Sequence, residues 1–283
     1  MPDLLRIIQN LPAIIRFDYK DKTMIMEPLQ PFGLLIVADE IESNLDTLDQ
    51  KQLLALVRKH KFVLLRQFDH FSQHELHQFS KRLGSLLAWE FGEIMEMRVI
   101  QQANNYLFTH EKVPLHWDGA FHTEPEFLLF HCLQAPDLNS GGETLFVDTE
   151  AVWQRANKTQ QVIWQNCIIR YCTDKLAHYG GRIDIPLVQQ HPVTANTILK
   201  YAEAVDTQLN PVTAEVLNIS TEQSREILDD LARRCYEHQY EHAWQNNDYL
   251  LADNHALIHG RHAFKQFSPR HLRRIQILKE HQA

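Results

Sequence analysis

The sequence lacks the features of a membrane protein or of an exported protein. No apolar run among its 283 residues approaches the ~20 residues that a membrane-spanning helix needs. The opening segment, residues 1–16, has no basic start, no long apolar stretch and no small-residue cleavage site, and Pro12 interrupts it. The sequence therefore predicts a cytoplasmic protein.

Cys-x-x-Cys pairs and long basic runs are also missing, and only residues 270–274 are locally basic. The four cysteines include no Cys-x-x-Cys pair, so we expect reduced and mostly buried thiols. The formal net charge is −8, and Lys and Arg form no long run. A nucleic-acid-binding protein concentrates its cations on one face to neutralise phosphates. The sequence therefore predicts no nucleic-acid partner.

Several motifs of other enzyme classes are absent as well. Neither G-x-G-x-x-G nor G-x-x-x-x-G-K-[ST] occurs, which argues against a doubly wound α/β fold with a phosphate loop. A zinc hydrolase would need a His-Glu-x-x-His cluster, whereas the chain has only His74-Glu75-x-His77. The lack of repeats and of Pro/Gly/Ser linkers favours a single domain over residues 1–283.

Short strand-like segments dominate what is present. Capping boxes at Ser72/Glu75 and Ser220/Gln223 predict helices that end near Gly84 and Tyr240, and a third helical pattern covers residues 48–60. Segments rich in β-branched, aromatic and aliphatic residues predict strands at 34–37, 62–68, 86–100, 113–118, 127–132, 144–147, 168–172, 197–201, 249–252 and 275–278. This pattern predicts a mainly-β sandwich or jelly roll with helical cover.

The local motif that carries most chemistry is His116-Trp117-Asp118. Alternate side chains of a strand point to one face, so this imidazole and this carboxylate are predicted to converge. Such a pair is half of a two-histidine, one-carboxylate triad, which leaves three metal positions open. The alternative is a hydrogen-bonded pair on a half-buried strand.

A second histidine must come from further along the chain. Residues 253–261 contain two candidates, His255 and His259, and Arg270 follows His259 by eleven residues, with Arg274 four further on. A guanidinium binds a carboxylate bidentately and stays charged when buried, so this pair suits a dicarboxylate. A solvated basic surface is the alternative, but the alternation of polar and apolar residues after Arg274 favours a strand.

Five motifs occur together in a fixed order. They are His-x-Asp (116–118), Gly-Gly-x-Thr-Leu-Phe (141–146), His-Pro (191–192), Asp-Asn-x-x-x-x-His (253–259) and Arg-x-x-x-Arg (270–274). Over roughly residues 34–278, the sequence resembles the taurine dioxygenase family of iron(II)/2-oxoglutarate oxygenases. The resemblance implies a double-stranded β-helix (jelly-roll) core at about 86–278, with helical cover at the N-terminus and at about 221–240.

The resemblance also implies cofactors and roles. Iron(II) would be held by His116, Asp118 and His259, with 2-oxoglutarate and dioxygen as cosubstrates. Thr144 would meet the metal-proximal carboxylate of 2-oxoglutarate and Arg270 the distal one. Arg274 would lie beside the site, on the cosubstrate or the substrate side.

One departure from the family leaves a rival ligand. The position after Asp-Asn is usually Arg, but here it is His255, four residues before His259; the distance to Arg270 favours His259. The His238/His242 pair also has metal-like spacing, yet it matches a structural stretch of the family. Related halogenases have a small residue in place of Asp118, so its presence indicates hydroxylation or desaturation.

Further segments resemble one branch, the oxygenase partners of isonitrile synthases in paerucumarin and rhabduscin biosynthesis. They are 104–106, 113–119, 125–127, 130–132, 135–136, 177–179 and 269–274. The branch implies desaturation, with or without loss of the carboxylate, of a small isocyano acid that an isonitrile synthase makes from tyrosine or tryptophan. The alternative is a hydroxylase of a free or carrier-bound amino acid.

Aromatic residues near the triad are candidates for the substrate pocket. We single out Tyr106, Trp117 and Phe121, with Trp89 and Phe91 as weaker candidates, and add the polar residue Asn105. Ordinary core packing is the alternative for each of the aromatic residues. The sequence predicts no particular oligomeric state.

Overall fold

Strands outnumber helices in the computed structural model, which describes residues 15–19, 22–38, 44–90, 92–103, 105–174, 181–206, 208–209 and 211–280. The strands are β1 Ile15–Tyr19, β2 Lys22–Pro28, β3 Leu34–Ala38, β4 Phe62–Arg66, β5 Gly84–Leu86, β6 Ile94–Arg98, β7 Val113–His116, β8 Phe127–Gln134, β9 Thr144–Asp148, β10 Ile168–Thr173, β11 Gly181–Pro186, β12 Val188–Gln190, β13 Thr197–Leu199, β14 Thr213–Val216, β15 Gln239–His242, β16 Tyr249–Asp253, β17 Leu257–Arg261 and β18 His271–Glu280. The helices are α1 Gln50–His60, α2 Gln73–Leu83, α3 Thr149–Arg155, α4 Lys158–Gln165 and α5 Thr221–Glu237.

Two sheets form the body of the fold. The large sheet runs β1-β2-β3-β4-β16-β8-β18-β5, and β6 also pairs with β18; the small sheet runs β15-β9-β17-β7. Their pairings are antiparallel except for β3 with β4. A three-stranded sheet, β11-β10-β14, and the pair β12-β13 lie outside these two. The mainly-β, jelly-roll prediction is confirmed.

The element boundaries differ from the prediction in identifiable ways. The large sheet reaches beyond 86–278, because β1 to β4 belong to it, and strands as well as helices occupy the N-terminal part. The predicted strand at 86–100 is interrupted by a turn in which Trp89 and Gly92 exchange backbone hydrogen bonds. The last helix ends at Glu237 rather than near Tyr240, because β15 begins at Gln239 and pairs with β9.

Helix starts follow the local signals. Both predicted capping boxes form, at Ser72 with Glu75 and at Ser220 with Gln223. A third box, Asn157 with Gln160, opens α4, which the sequence analysis missed. Each box satisfies backbone N–H groups that the first helical turn leaves without partners.

Aromatic packing between the two sheets fixes their separation. Phe62 on β4 is fully buried and stacks on Phe146 of β9, with ring centroids 5.5 Å apart. Gly33 has φ +107°, and a Cβ there would lie 2.2 Å from the Phe62 ring, so only glycine fits. Removing a buried ring of this kind costs ~3–5 kcal/mol, so Phe62 anchors the sheets that carry the site.

The other physical expectations can be compared directly. All four cysteines are free thiols, and Cys132, Cys167 and Cys235 are buried, as predicted. Among the described residues, no helix has the length and apolar character needed to cross a bilayer.

Candidate metal and cosubstrate site

Neighbouring strands bring the two histidines together. His116 ends β7 and His259 lies in β17, where the two residues are direct partners across the strand pair. Their ring centroids are 4.4 Å apart. The His116 Nδ1–H donates to the carbonyl of Pro114 at 2.8 Å, which leaves Nε2 as the lone-pair nitrogen.

Asp118 lies near the two histidines, but it is not placed there by strand alternation as the sequence predicted. β7 ends at His116, and Asp118 lies in the turn that follows. Asn254 holds this turn: its Oδ1 accepts from the Asp118 N–H at 3.0 Å, and its Nδ2 donates to the carbonyls of Asp118 and Pro125 at 3.0 and 2.9 Å. Gly119 follows with φ +93°, and a Cβ there would lie 2.5 Å from the backbone of Glu124. Asn254 and the turn therefore set the position of Asp118.

The three side chains face one point without bonding to one another. The Asp118 Oδ1 lies 3.7 Å from His116 Nε2 and 3.9 Å from His259 Nε2, both longer than a hydrogen bond. Within the described part of the chain, this is the group of three ligand-type side chains whose donor atoms come within 4.8 Å of one another. Two imidazoles and one carboxylate in this arrangement suit iron(II) and leave coordination positions open.

The charges of the three groups also fit a cation. Burial, followed by repulsion from His116, lowers the pKa of His259 to about 3, and burial lowers the pKa of His116. Burial alone would raise the pKa of Asp118, but Arg274 and the two histidines outweigh it and hold the pKa below its ordinary value. Two neutral imidazoles and an ionised carboxylate are the forms that bind a metal.

The rival histidines lie elsewhere. His255 Nδ1 bonds to Oε1 of Glu124 at 2.7 Å. His242 lies 3.3 Å from a carboxylate oxygen of Asp248, and His238 caps the C-terminal end of α5. The structure thus separates all three from the group around Asp118, which favours His259 as the third ligand.

Arg270 is a buried cation without a counter-ion. Its side chain is 5% exposed, and among the described residues no carboxylate lies within ion-pair distance of it. Its Nε donates to the Gly142 carbonyl at 3.1 Å and its Nη2 to Thr144 Oγ1 at 3.4 Å. Burial, and then repulsion from Arg261, lowers the pKa of Arg270 to about 9. Because a buried charge without a counter-ion is unfavourable, this guanidinium is suited to bind an anion, and a carboxylate of 2-oxoglutarate has the matching charge and geometry.

Thr144 lies beside Arg270. The Thr144 hydroxyl accepts from Trp244 Nε1 at 2.8 Å as well as from Arg270. The sequence analysis placed Thr144 at the metal-proximal carboxylate, whereas these contacts group it with the arginine that was assigned to the distal one. The structure explains why the motif has a glycine at position 142, since a Cβ there would come within 3.3 Å of Arg270 Cδ.

Arg274 and Gln276 approach Asp118 from β18. Arg274 Nη1 lies 3.1 and 3.0 Å from the two carboxylate oxygens of Asp118. Gln276 Nε2 donates to Asp118 Oδ2 at 2.6 Å. The sequence analysis did not assign Gln276 to the site, although it shares the alternation of polar residues that begins at Arg274.

A cavity of about 130 Å³ opens beside the triad. The four predicted pocket residues, Asn105, Tyr106, Trp117 and Phe121, all line it. Trp89 lines it too, whereas Phe91, Asn104 and residues 177–179 lie outside the described residues. Walls that the sequence analysis missed come from later segments: Tyr171, Thr173, Ala202, Glu203, Val205 and Val212.

Glu203 brings a second carboxylate to this cavity, besides Asp118. Its Oε2 accepts from the Leu115 N–H at 2.7 Å and from the Tyr236 hydroxyl at 2.6 Å. Its Oε1 forms an ion pair with Lys112, with 3.6 Å between Oε1 and Nζ. Glu203 therefore places a carboxylate in the lining of a cavity whose walls are mostly aromatic or apolar.

Known proteins resemble this chain in sequence and in fold. The model of the taurine catabolism dioxygenase TauD, TfdA family matches residues 26–276. The 3-((Z)-2-isocyanoethenyl)-1H-indole synthase of Fischerella ambigua is 43% identical over 89% of this chain and 95% of its own length. The tyrosine isonitrile desaturase of Pseudomonas aeruginosa is 36% identical over 88% of each chain.

A solved structure gives the same picture. PvcB of Pseudomonas aeruginosa, an Fe, alpha-ketoglutarate dependent oxygenase from an isonitrile synthetic pathway, superposes with a TM-score of 0.77. It is 32% identical, and the match covers 95% of each chain. Together with the match to the family model, these similarities show that the chain belongs to the TauD, TfdA dioxygenase family and is an iron- and 2-oxoglutarate-dependent oxygenase.

Proposed function

We propose that the enzyme desaturates the isonitrile derivative of tyrosine or tryptophan, with 2-oxoglutarate and dioxygen as cosubstrates. The observation that carries the proposal is a mostly aromatic and apolar cavity that opens onto the triad, in a chain similar over most of its length to an isocyanoethenyl-indole synthase and a tyrosine isonitrile desaturase. The substrate would be a small molecule supplied by an isonitrile synthase.

In this proposal, His116, Asp118 and His259 hold the iron, as their convergence supports. Bound iron supplies the oxidation chemistry, in which 2-oxoglutarate loses carbon dioxide and becomes succinate. For a desaturation, the substrate loses two hydrogen atoms; one oxygen atom of dioxygen leaves with them as water, and the other enters succinate. Asp118 keeps the carboxylate that related halogenases lack, which supports desaturation or hydroxylation over halogenation.

The cosubstrate is assigned to Arg270 and Thr144. The guanidinium would pair with the carboxylate that lies further from the iron, and the Thr144 hydroxyl would contact the same carboxylate. We therefore move Thr144 from the metal-proximal end to the distal end. Arg270 thereby gains the counter-ion that the described protein residues do not provide, and its charge would orient the dicarboxylate in a buried site.

Arg274 and Glu203 would orient the substrate. Arg274 is the one arginine among the described residues that line the cavity, so it suits the substrate carboxylate. Glu203 would accept a hydrogen bond from the indole N–H or the phenol O–H of the aromatic ring. A carboxylate of the substrate would avoid Glu203 by like-charge repulsion, so the two residues favour the same orientation.

The test supplies iron, ascorbate, 2-oxoglutarate and air with isocyano-tryptophan and isocyano-tyrosine. The parent amino acids serve as controls for the isonitrile group. Isocyano-phenylalanine serves as a control for the hydrogen bond to Glu203, because its ring has neither an indole N–H nor a phenol O–H. Mass spectrometry should show the loss of two hydrogen atoms, with or without carbon dioxide, for at least one isonitrile and for neither parent, together with succinate. Efficient addition of oxygen to an ordinary amino acid, with the isonitriles unchanged, would instead indicate an amino-acid hydroxylase.

The remaining expectations about location and partners stay predictions. They are a cytoplasmic location and the absence of a nucleic-acid partner. The net charge of −8, without a basic run, supports the second of these.

A further inference from the structure

Gln276 makes a short hydrogen bond to the proposed iron ligand. Its Nε2 donates to Asp118 Oδ2 at 2.6 Å, and its side chain is buried, with the residue 5% exposed. The other oxygen, Oδ1, is the one nearest to the Nε2 atoms of both histidines. Arg274 Nη1 contacts both oxygens, at 3.1 and 3.0 Å, whereas the hydrogen bond from Gln276 goes to Oδ2 alone. Two side chains of β18 therefore contact Oδ2, and Oδ1 is the oxygen nearest to the two histidines.

An amide can turn either end toward a neighbour, so its orientation needs a cause. A carboxylate only accepts hydrogen bonds, and an indole nitrogen only donates them. Trp89 Nε1 donates to Gln276 Oε1 at 2.7 Å, which directs the Gln276 NH₂ group toward Asp118. The three side chains form a hydrogen-bond chain with one permitted direction, from Trp89 through Gln276 to Asp118.

The far end of this chain belongs to the substrate cavity. Trp89 lines the cavity, and its ring lies 5.1 Å from the His122 ring, centroid to centroid. Backbone hydrogen bonds of 3.0 and 2.9 Å between Trp89 and Gly92 close the turn that carries it. The wall that an aromatic substrate would touch is therefore two hydrogen bonds away from an iron ligand.

We propose that Gln276 is a positioning residue that holds Asp118 to one-oxygen coordination, and that Trp89 locks the Gln276 amide in the orientation this requires. The proposal rests on Asp118 as an iron ligand, but it does not depend on the identity of the substrate. If Oδ2 were released, it could turn toward the metal and take one of the positions that cosubstrate and dioxygen need. Outer partners of metal ligands commonly affect metal affinity by ~10–100-fold.

The test measures the metal site without any substrate. Cobalt(II) is titrated into the metal-free protein, the dissociation constant is determined, and the visible absorption of the bound cobalt reports its coordination number. The variants are Gln276→Leu, which removes the donor, and Trp89→Phe, which keeps an aromatic wall and removes the N–H. Trp153→Phe, on α3, is the matched control. Thermal unfolding of each metal-free variant verifies that it is folded.

We expect Gln276→Leu to raise the cobalt dissociation constant by about tenfold or more and to change the visible spectrum. Trp89→Phe should cause a smaller change of the same kind, and Trp153→Phe should cause none. The double variant should resemble Gln276→Leu alone, because the effect of Trp89 passes through Gln276. A role limited to fold stability would lower the unfolding temperature and leave the spectrum of the bound cobalt unchanged.

Two results would overturn the proposal. Gln276→Leu could bind cobalt with wild-type affinity and spectrum, or the effects of the two substitutions could be additive in the double variant. If Gln276→Leu does not fold, Trp89→Phe decides, and a wild-type spectrum for it counts against the proposal. An error in the proposed substrate changes none of these measurements, whereas a wild-type protein that binds no metal would refute the triad itself.

Discussion

Asp118 and Asp253 are both buried aspartates that contact an arginine and lie close to histidine rings, two at Asp118 and one at Asp253. Asp253 accepts from Arg58 Nη1 at 2.9 Å and lies 3.0 Å from His191 Nε2, and the backbone N–H of His255 also donates to it at 3.0 Å. The other ring nitrogen of His191 accepts from two backbone N–H groups. Both carboxylate oxygens of Asp253 and both ring nitrogens of His191 therefore have protein partners.

The surroundings of Asp118 differ in one respect. Among the described residues, neither His116 Nε2 nor His259 Nε2 has a hydrogen-bond partner, and both face the same carboxylate oxygen. The arginines beside the two aspartates, Arg274 and Arg58, are both ion-paired. Arg270, in the proposed cosubstrate site, differs from them because it has no ion-pair partner in the described chain. Residue types alone do not distinguish an ion-pair cluster from a candidate metal site. The distinction comes from the two histidine Nε2 atoms, which lack hydrogen-bond partners among the described residues and lie near the same carboxylate oxygen.

The largest effect that tests this comparison comes from the histidines. His259→Ala should weaken metal binding by at least about 100-fold, because it removes a proposed ligand. His191→Ala should leave metal binding intact but lower the free energy of unfolding by ~1–3 kcal/mol, because buried Asp253 loses a partner. Metal titration and urea unfolding of the metal-free proteins measure the two effects. Equal loss of metal in both variants would remove the distinction between the clusters.

The arginines give the next largest difference. Losing a buried charge-assisted contact costs ~2–5 kcal/mol, so Arg270→Leu should raise the 2-oxoglutarate requirement by more than about tenfold. Arg58→Leu should destabilise the fold and leave the 2-oxoglutarate requirement unchanged, because its partners are protein carboxylates. Initial rates of succinate formation at varied 2-oxoglutarate measure the cosubstrate requirement of both variants. An unchanged requirement in Arg270→Leu would remove this residue from the cosubstrate site.

The pH dependence of stability isolates the Asp253 cluster. Burial would raise the pKa of Asp253, but His191 and Arg58 outweigh it and lower the pKa from 3.8 to about 2. The ionised carboxylate therefore stabilises the fold above pH 3.8, and this contribution is lost as the pH falls from 3.8 toward about 2. At ~1.4 kcal/mol per pKa unit, the loss is about 2 kcal/mol.

The matched variant for this measurement is Asp253→Asn. Its stability deficit relative to wild type, from urea unfolding, should be largest near about pH 5 and should shrink by about 2 kcal/mol toward about pH 2. A deficit that stays constant over this range would mean that the charge of Asp253 does not contribute.

The smallest expected effect is at the rival ligand. His255→Ala should change metal affinity by less than about twofold, because its ring contacts Glu124 and not the triad. Loss of metal from this variant, with metal retained in His259→Ala, would reverse the ligand assignment.

Structural features that depend on residues close in sequence were predicted correctly. The capping boxes at Ser72 and Ser220 set helix starts because the paired side chains lie three residues apart. Strand alternation suggested that His116 and Asp118 converge, but the strand ends at His116 and the aspartate is held by Asn254, 136 residues away. No periodicity in the sequence encodes a contact of that separation.

The cavity walls show the same limit. Tyr106 and Phe121 are close to His116 in sequence, and both were predicted to line the cavity. Tyr171 and Glu203 carry no motif, because they reach the cavity only through the packing of the three-stranded sheet and the segment after β13. The strand β15 was missed because its residues extend the helical pattern of α5, whereas pairing with β9 decides their structure.

The strand β18 has an evolutionary consequence. Arg274 and Gln276 project from one face of it, about 7 Å apart, and Arg270 directly precedes it. Neighbouring strands hydrogen-bond to it on both sides, β8 on one and β5 and β6 on the other. An insertion or deletion of one residue between Arg270 and Gln276 would turn the later side chains to the opposite face. We therefore expect changes of substrate to be tolerated at wall residues such as Tyr106, Val205 and Val212, and not through a change in the length of this strand.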